Sequence, residues 1–233
     1  MPDLYNTITL TKFLTERKLK NIHANTFFRQ HGINATQSLI VRHHIPGAIV
    51  ECGVWRGGSM MAVALTLLEL QAATRPLYLY DTFDGMPPPT ARDRSFAGES
   101  AATILQHADK TTHPVWAYSP LDQVQHALRS TGYPSHLLHY IVGTVEQTLP
   151  AVCPDTISLL RLDTDWYEST RHELVHLYPR LAPGGVLLID DYGQWQGCRQ
   201  AVDEYLHEHQ LLLLLHRIDY TGRMAIKPLV GRS

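Results

Sequence analysis

The sequence predicts an α/β fold built on an open, mostly parallel β-sheet with helices on both faces. From residue 48 onwards, short apolar runs of strand length alternate with longer segments of helical period, as crossover connections require. The 233 residues, 44% of them hydrophobic, are enough to bury one sizeable core. We therefore expect one α/β domain over residues 45–233, preceded by a helical extension or lid over residues 1–44.

Seven apolar runs predict the strands. Five of them should be parallel: residues 48–54, 76–81, 138–142, 157–162 and 185–190. We expect the first, fourth and fifth to be central. Residues 211–218 and 224–227 flank the turn-forming residues 219–222, and they predict an antiparallel hairpin at one end of the sheet.

Helical periodicity predicts four helices between these strands, over residues 59–72, 121–130, 167–178 and 197–209. The third should stop at the Pro183-Gly184-Gly185 turn. Residues 10–41 are amphipathic and predicted to be helical. Residues 86–99, rich in Pro, Arg and Asp, predict a mobile loop that could cover a ligand; an ordinary disordered insertion explains them equally well.

Composition argues against several classes of partner. The formal charge is −2 and no long block of Lys or Arg occurs, so we expect no nucleic-acid partner. The first residues lack the pattern of a signal peptide, and apolar runs such as residues 211–215 are too short to cross a bilayer. We expect a cytoplasmic protein with no membrane partner. Its 3 cysteines lack metal-ligand spacing and should be reduced thiols.

The turn after the first strand, Glu51-Cys-Gly-Val-Trp-Arg-Gly-Gly-Ser59, is a candidate ligand loop. Without a Cβ, Gly53 and the later glycines let backbone amides approach a ligand, and the next helix offers its first N–H groups to a carboxylate. A pyrophosphate loop would need glycine where Trp55 stands, and no phosphate loop ending in Gly-Lys-Ser/Thr is present. A plain glycine turn is the alternative.

Asp81, at the end of the second strand, can accept hydrogen bonds from both hydroxyls of a ribose. NAD and S-adenosylmethionine both contain adenosine, so this residue alone does not separate them. The lack of a pyrophosphate loop favours S-adenosylmethionine.

Four carboxylates should gather at one sheet edge, because Asp163 and Asp165 follow the fourth strand and Asp190 and Asp191 follow the fifth. Such a cluster favours a hard cation, and Mg²⁺ suits carboxylates, waters and a substrate hydroxyl. A metal lowers the pKa of a bound hydroxyl, and Asp165 is then the candidate base for its proton. Aspartates that only cap the following helices are the alternative.

Four segments together resemble the macrocin O-methyltransferase family: residues 50–59, 81–87, 162–170 and 190–192. The resemblance covers residues 45–227. It implies a class I methyltransferase fold of seven strands, the cofactors S-adenosylmethionine and Mg²⁺, and a small-molecule hydroxyl acceptor on a glycosylated or otherwise polyoxygenated natural product. Members are commonly dimers, so it also implies a homodimer.

The resemblance also implies residue roles. Asp163, Asp190 and Asp191 match metal-binding aspartates, while Asp165, together with Asp163, matches the catalytic carboxylates. The positions that match cofactor-binding residues are Glu51, Gly53, Val54, Trp55, Arg56, Gly58, Ser59, Asp81, Thr82, Phe83, Gly143, Thr144, Val145 and Asp163. Catechol O-methyltransferase is a more distant resemblance, and its catalytic lysine is replaced here by Trp166.

Two functions of other classes remain open at the level of sequence. A metal-dependent phosphoester hydrolase could use the same aspartates to activate water, although it leaves the Glu51 loop unexplained. A non-catalytic protein that only binds the cofactor is the other.

Overall fold

The computed structural model describes residues 36–229, and these form one seven-stranded sheet covered by helices on both faces. The strands run in the spatial order β3-β2-β1-β4-β5-β7-β6, and only β7 is antiparallel to its neighbours β5 and β6. Their bounds are β1 Ala48–Cys52, β2 Leu77–Asp81, β3 Leu138–Val142, β4 Ile157–Leu162, β5 Leu181–Ile189, β6 His216–Arg217 and β7 Arg223–Ile226. The predicted fold class and the central positions of β1, β4 and β5 are confirmed.

The helices include all four that the sequence predicts, each within three residues of its predicted bounds. Two short helices, α2 and α4, were not predicted. The bounds are α1 Gly58–Glu69, α2 Ala101–Gln106, α3 Leu121–Arg129, α4 Val145–Thr148, α5 Tyr167–Leu177 and α6 Gln196–Glu208. Residues 36–42 are helical too. The rest of the predicted N-terminal helical segment lies outside the described residues.

Two apolar clusters cover the two faces of the sheet. Successive residues of β1 and β4 point to opposite faces, and every residue of both strands is buried. On one face Val50 packs in a cluster with Leu174 of α5 and Val202 of α6. On the other, Ile49 packs in a cluster with Val63 of α1. The sheet is therefore the middle of three layers.

The turn predicted at Pro183-Gly184-Gly185 is wrong, because these residues lie inside β5. Helix α5 ends earlier, at Leu177, and a 3₁₀ turn over Tyr178–Arg180 leads into the strand. Ile157 and Leu159 of β4 pair with Leu181 and Val186, so five positions of β5 pass opposite two of β4. Gly184, with φ of 79°, permits this irregularity.

The hairpin is confirmed at the edge of the sheet, but its first strand is much shorter than predicted. Only His216–Arg217 pairs as β6, and residues 211–215 form no strand. Leu211, Leu213 and Leu215 pack against the core, whereas Leu212 and Leu214 are 96% and 85% exposed. The alternation is that of a strand, but no neighbouring strand of residues 36–229 pairs with it.

Residues 86–99 lack a helix, as predicted, but they are tied to the body of the domain rather than free. Asp93 is fully buried and accepts hydrogen bonds from the backbone N–H groups of Thr90 (2.6 Å) and Tyr167 (2.8 Å). Ser95 forms a β-bridge with Trp195. Asp93 therefore anchors the loop to the start of α5. The mobility of the loop stays a prediction.

Across residues 36–229, none of the helices has the length and apolar character that a membrane span needs.

Candidate active site

A cavity of about 370 Å³ opens at the carboxyl edge of the sheet, where ligands bind in open α/β folds. Its wall combines the glycine turn after β1, the end of β2, the turn after β3, and the residues that follow β4 and β5. Met86, Pro87 and Val115 add an apolar side. Eight of the predicted cofactor residues lie in this wall: Gly53, Trp55, Asp81, Thr82, Gly143, Thr144, Val145 and Asp163.

The glycine turn brings the ends of β1 and β4 into contact. Gly53 has φ of 82°, and a Cβ at this position would overlap the carbonyl oxygen of Asp163. Gly57, with φ of 77°, precedes the first turn of α1. Glycine is therefore required at residue 53 on two counts, conformation and space.

Asp81 holds this turn in place through backbone hydrogen bonds. Its Oδ2 accepts from the N–H groups of Val54 (2.7 Å) and Trp55 (2.9 Å), and its Oδ1 accepts from that of Phe83 (2.7 Å). Trp55 and Phe83 both have positive φ, 47° and 53°, which these bonds help to maintain. The sequence predicted Asp81 as a ribose acceptor; the structure adds a role in shaping the loop.

The remaining predicted cofactor residues surround the cavity without lining it. Glu51 is buried below the turn, and Val54 and Phe83 belong to the apolar core. Arg56 is exposed, with its guanidinium 4.9 Å from the centre of the Trp55 ring. Gly58 and Ser59 are the first residues of α1.

Three carboxylates in the cavity wall come close enough to share a cation. One oxygen from each of Asp163, Asp165 and Asp191 lies within 4.8 Å of the others. Asp165 has φ of 70° and lies just before α5. Asp190 also lines the cavity, but the predicted trio of Asp163, Asp190 and Asp191 differs from this group by one member. Oxygen-only donors suit Mg²⁺.

A buried arginine, which was not predicted from the sequence, lies among these acids. The Nη1 atom of Arg161 is 2.6 Å from Glu51 and 2.7 Å from Asp163, and its Nη2 is 2.8 Å from Asp190. The compensating positive charge predicted from the sequence was that of a metal alone, but Arg161 supplies part of it. The available signal was one arginine within an otherwise apolar, buried strand.

Burial perturbs the acids of this cluster. It raises the pKa of Asp163 well above its usual range; Arg161 opposes this rise, and Asp190 and Asp191 add to it. Burial likewise raises the pKa of Glu51 to about 7 against the pull of Arg161. The cluster therefore favours binding of a proton or a cation.

Glu173 of α5 is a second feature that the sequence did not reveal. It is fully buried, and its Oε1 accepts a hydrogen bond from the Thr164 hydroxyl at 2.9 Å. Burial raises the pKa of this carboxyl well above its usual range. Because Thr164 lies between Asp163 and Asp165, Glu173 supports the segment that carries both.

Comparison with known families agrees with this arrangement. The model of the macrocin O-methyltransferase family matches residues 28–226. The chain belongs to this family. Among curated relatives it is 31% identical to demethyldecarbamoylnovobiocin O-methyltransferase of Streptomyces niveus over 183 residues, which are 78% of this chain and 67% of the relative.

Two further relatives carry related names. A 4'-O-methyltransferase of Streptomyces olivaceus, named for a dimethoxyrhamnosyl-tetracenomycin C, is 35% identical over 76% of this chain and 65% of its own length. Mycinamicin III 3''-O-methyltransferase of Micromonospora griseorubida is 30% identical over 85% of this chain and 77% of its own length. The alignments thus span about two thirds to three quarters of these relatives.

Solved structures agree with the family assignment. The O-methyltransferase NovP superposes with a TM-score of 0.74 at 29% identity, covering 86% of this chain and 80% of NovP. The calicheamicin methyltransferase CalS11 shares the fold, with a TM-score of 0.66 at 19% identity over 94% of this chain and 90% of its own. The predicted family, fold and O-methyltransferase class are confirmed, and the hydrolase alternative gains no support.

Proposed function

We propose that this enzyme transfers a methyl group from S-adenosylmethionine to a hydroxyl of a glycosylated or otherwise polyoxygenated natural product, with Mg²⁺ as a second cofactor. The observation that carries the proposal is that one cavity contains both the glycine turn with Asp81 and the three close carboxylates. The relatives' names support the acceptor class, since they mention novobiocin, rhamnosyl-tetracenomycin and mycinamicin compounds.

The turn residues fit a nucleoside cofactor that carries an amino acid group. Gly53, Trp55 and Asp81 would hold it from one side, and Gly143 to Val145 from the other. Glu51 Oε2 is buried and has no hydrogen-bond partner within residues 36–229. A buried acceptor of this kind suits a donor group from a ligand.

The acids then divide into two roles. Asp163, Asp190 and Asp191 would hold the cation, and Asp165 would accept the proton of the acceptor hydroxyl. When bound, the sulfonium cofactor supplies the methyl group, and Mg²⁺ lowers the pKa of the hydroxyl. The apolar side formed by Met86, Pro87 and Val115 would limit the access of water to the reacting groups.

Isothermal titration with S-adenosylhomocysteine tests the cofactor site. We expect micromolar affinity in the wild type and at least tenfold weaker binding in Asp81→Ala, because the turn loses its anchor. Asp84→Ala is the matched control: it lies three residues away, is exposed, and pairs with Lys110 at the surface. Absence of binding to the wild type would overturn the proposal.

A second experiment assigns the acids. Mg²⁺ binding and methyl transfer from labelled S-adenosylmethionine are measured for Asp165→Asn and Asp190→Asn, with the relatives' acceptors as substrates. If Asp165 is the base, Asp165→Asn should lower turnover roughly 10²–10⁴-fold with little change in Mg²⁺ affinity. Asp190→Asn should weaken Mg²⁺ dependence as well. A tenfold loss of Mg²⁺ affinity in Asp165→Asn would make it a ligand instead, and near-normal turnover would exclude it as the base.

A further inference from the structure

Two exposed aromatic side chains meet beside the cavity, and the catalytic proposal does not use them. Phe96 and Tyr220 are 59% and 53% exposed, and their rings form a T-shaped pair with centroids 5.4 Å apart and an interplanar angle of 77°. They come from distant parts of the chain, the loop over residues 86–99 and the hairpin turn. We refer to Phe96 and Tyr220 as the aromatic pair.

Backbone hydrogen bonds attach the aromatic pair to the segment that follows Asp191. The N–H of Phe96 donates to the carbonyl of Gln194 (2.9 Å), and the N–H of Gly193 donates to that of Thr221 (2.9 Å). Gly193 is two residues beyond Asp191, a span of about 7 Å at most. Because Arg223 pairs with Ile189, the hairpin turn lies beyond the carboxyl end of β5, at the same sheet edge as the cavity.

We propose that the aromatic pair binds a planar, unsaturated ring system of the acceptor while a hydroxyl elsewhere on the acceptor reaches the carboxylates. This inference rests on the proposed function and names the part of the acceptor that the enzyme recognises. Two rings at 77° form a corner, so a planar group stacks on one ring and meets the edge of the other.

The surroundings favour a small molecule over a protein partner. Arg217 places its guanidinium carbon 5.9 Å from the centre of the Tyr220 ring, held by a hydrogen bond from its Nε to the Asp219 carbonyl (2.8 Å). Arg94 and Glu99, both exposed, flank Phe96 in sequence. An apolar surface of two side chains with a charged rim is small for a stable protein interface, which needs about 800 Å² on each partner.

Binding of the dye 8-anilinonaphthalene-1-sulfonate, a planar aromatic probe, tests the inference by fluorescence titration with S-adenosylhomocysteine present. The variant Phe96→Ser/Tyr220→Ser should bind the dye roughly tenfold more weakly than the wild type, because it loses two aromatic contacts. The matched control is Leu212→Ser/Leu214→Ser, which removes two more exposed apolar residues from another part of the surface. It should bind the dye as the wild type does. Thermal unfolding of both variants checks that they fold.

Each outcome bears on the inference separately from the catalytic proposal. Equal dye affinity in the wild type and the aromatic variant, or an equal loss in the leucine variant, overturns it. Conversion of a dimer into a monomer by the aromatic substitutions, measured by sedimentation equilibrium, would assign the pair to a second copy of the chain and overturn it as well. Failure of S-adenosylhomocysteine to bind would instead contradict the proposed function and leave the comparison between variants intact.

Discussion

At the scale of single residues, Arg161 compensates the charge of acids that lie in the cavity wall and below it. Its guanidinium contacts carboxylates from β1, the segment after β4 and the segment after β5. Burying a charge without a partner is costly, so removal of one member of a buried ion pair destabilises the fold strongly. The planar guanidinium also reaches several oxygens at once, which the single ammonium group of lysine does less well.

Replacement of Arg161 by methionine should therefore destabilise the fold by about 3–5 kcal/mol, because buried acids lose their compensating charge. Arg161→Lys should recover part of this loss. Urea unfolding at pH 7 without added metal measures both. Arg129→Met, an exposed position at the end of α3, should stay within about 0.5 kcal/mol of the wild type. A change below 1 kcal/mol in Arg161→Met would show that the cluster is compensated in another way.

Glu51 predicts a pH dependence of stability. Burial raises its pKa from the usual 4.5 to about 7 in the folded state. Between these values the folded protein holds a proton that the unfolded chain has released, so stability falls as pH rises from about 4.5 to 7. Well above pH 7 both states are ionised and this contribution no longer changes.

Glu51→Gln should flatten that slope, since glutamine does not titrate. Between pH 4.5 and 7.5 the free energy of unfolding of the wild type should fall by on the order of 3 kcal/mol more than that of the variant. Urea unfolding in chelator at several pH values measures it. Glu69→Gln, at an exposed position of α1, is the control and should keep the wild-type slope. If Glu51→Gln kept the wild-type slope, the pH dependence of stability would not come from Glu51.

At the scale of elements, one buried acid determines the course of the loop over residues 86–99. Asp93 accepts hydrogen bonds from the loop itself, through Thr90, and from the first residue of α5. It thus serves the N-terminus of a helix more than seventy positions away in sequence. The indole of Trp166 donates to the carbonyl of Pro87 (2.9 Å) and gives the loop a second attachment.

Asp93→Ala should release this loop while the sheet stays folded. Arg92 and Arg94 are exposed, so trypsin should cleave the variant there at least tenfold faster than the wild type. The free energy of unfolding should fall by about 1–3 kcal/mol, because buried N–H groups lose their acceptor. Glu99→Ala, in the same loop but exposed, is the control. Unchanged cleavage in Asp93→Ala would mean that the other contacts hold the loop without it.

The elements that the sequence predicted well are those with a strong local pattern. Strand β3 has its predicted bounds, and β1 and β4 are apolar runs buried on both faces. Helices α2 and α4 are short, with six and four residues, and give little periodicity to detect. The start of β5 was missed because local rules assign Pro-Gly-Gly to a turn. In the fold, Leu181 pairs with Ile157 of β4, and Gly184 and Gly185 exchange backbone hydrogen bonds with Lys227, just after β7.

The candidate site was predictable as a location but less so as a set of contacts. Chain order places Asp163, Asp165 and Asp191 at one edge because parallel strands end together there. Which acid pairs with Arg161 depends on side-chain directions that spacing does not specify. The loop role of Asp81 and the support from Glu173 likewise depend on contacts between distant segments.

At the scale of the whole molecule, the sheet holds mutually repelling acids at its carboxyl edge. The pKa of Asp163 is raised by burial and further by Asp190 and Asp191. Such repulsion lowers the stability of the cation-free protein, and a bound cation would relieve it. Stability and the proposed metal site are therefore linked.

Mg²⁺ should raise the melting temperature by about 5–10 °C at one hundred times its Kd, whereas KCl of equal ionic strength should not. The shift should shrink as pH falls, because protonation of Asp163 competes with the cation and its raised pKa extends that competition to higher pH.

The effect of Asp191→Asn on the melting temperature should have opposite signs without and with Mg²⁺. Without Mg²⁺ it should melt slightly higher than the wild type, because one repelling charge is gone; with Mg²⁺ it should melt lower, because a ligand is lost. Differential scanning calorimetry measures the melting temperature of the wild type and the variant, each without and with Mg²⁺. Equal Mg²⁺ shifts in wild type and variant would exclude Asp191 from the metal site, since a ligand cannot be removed without loss of linked stability.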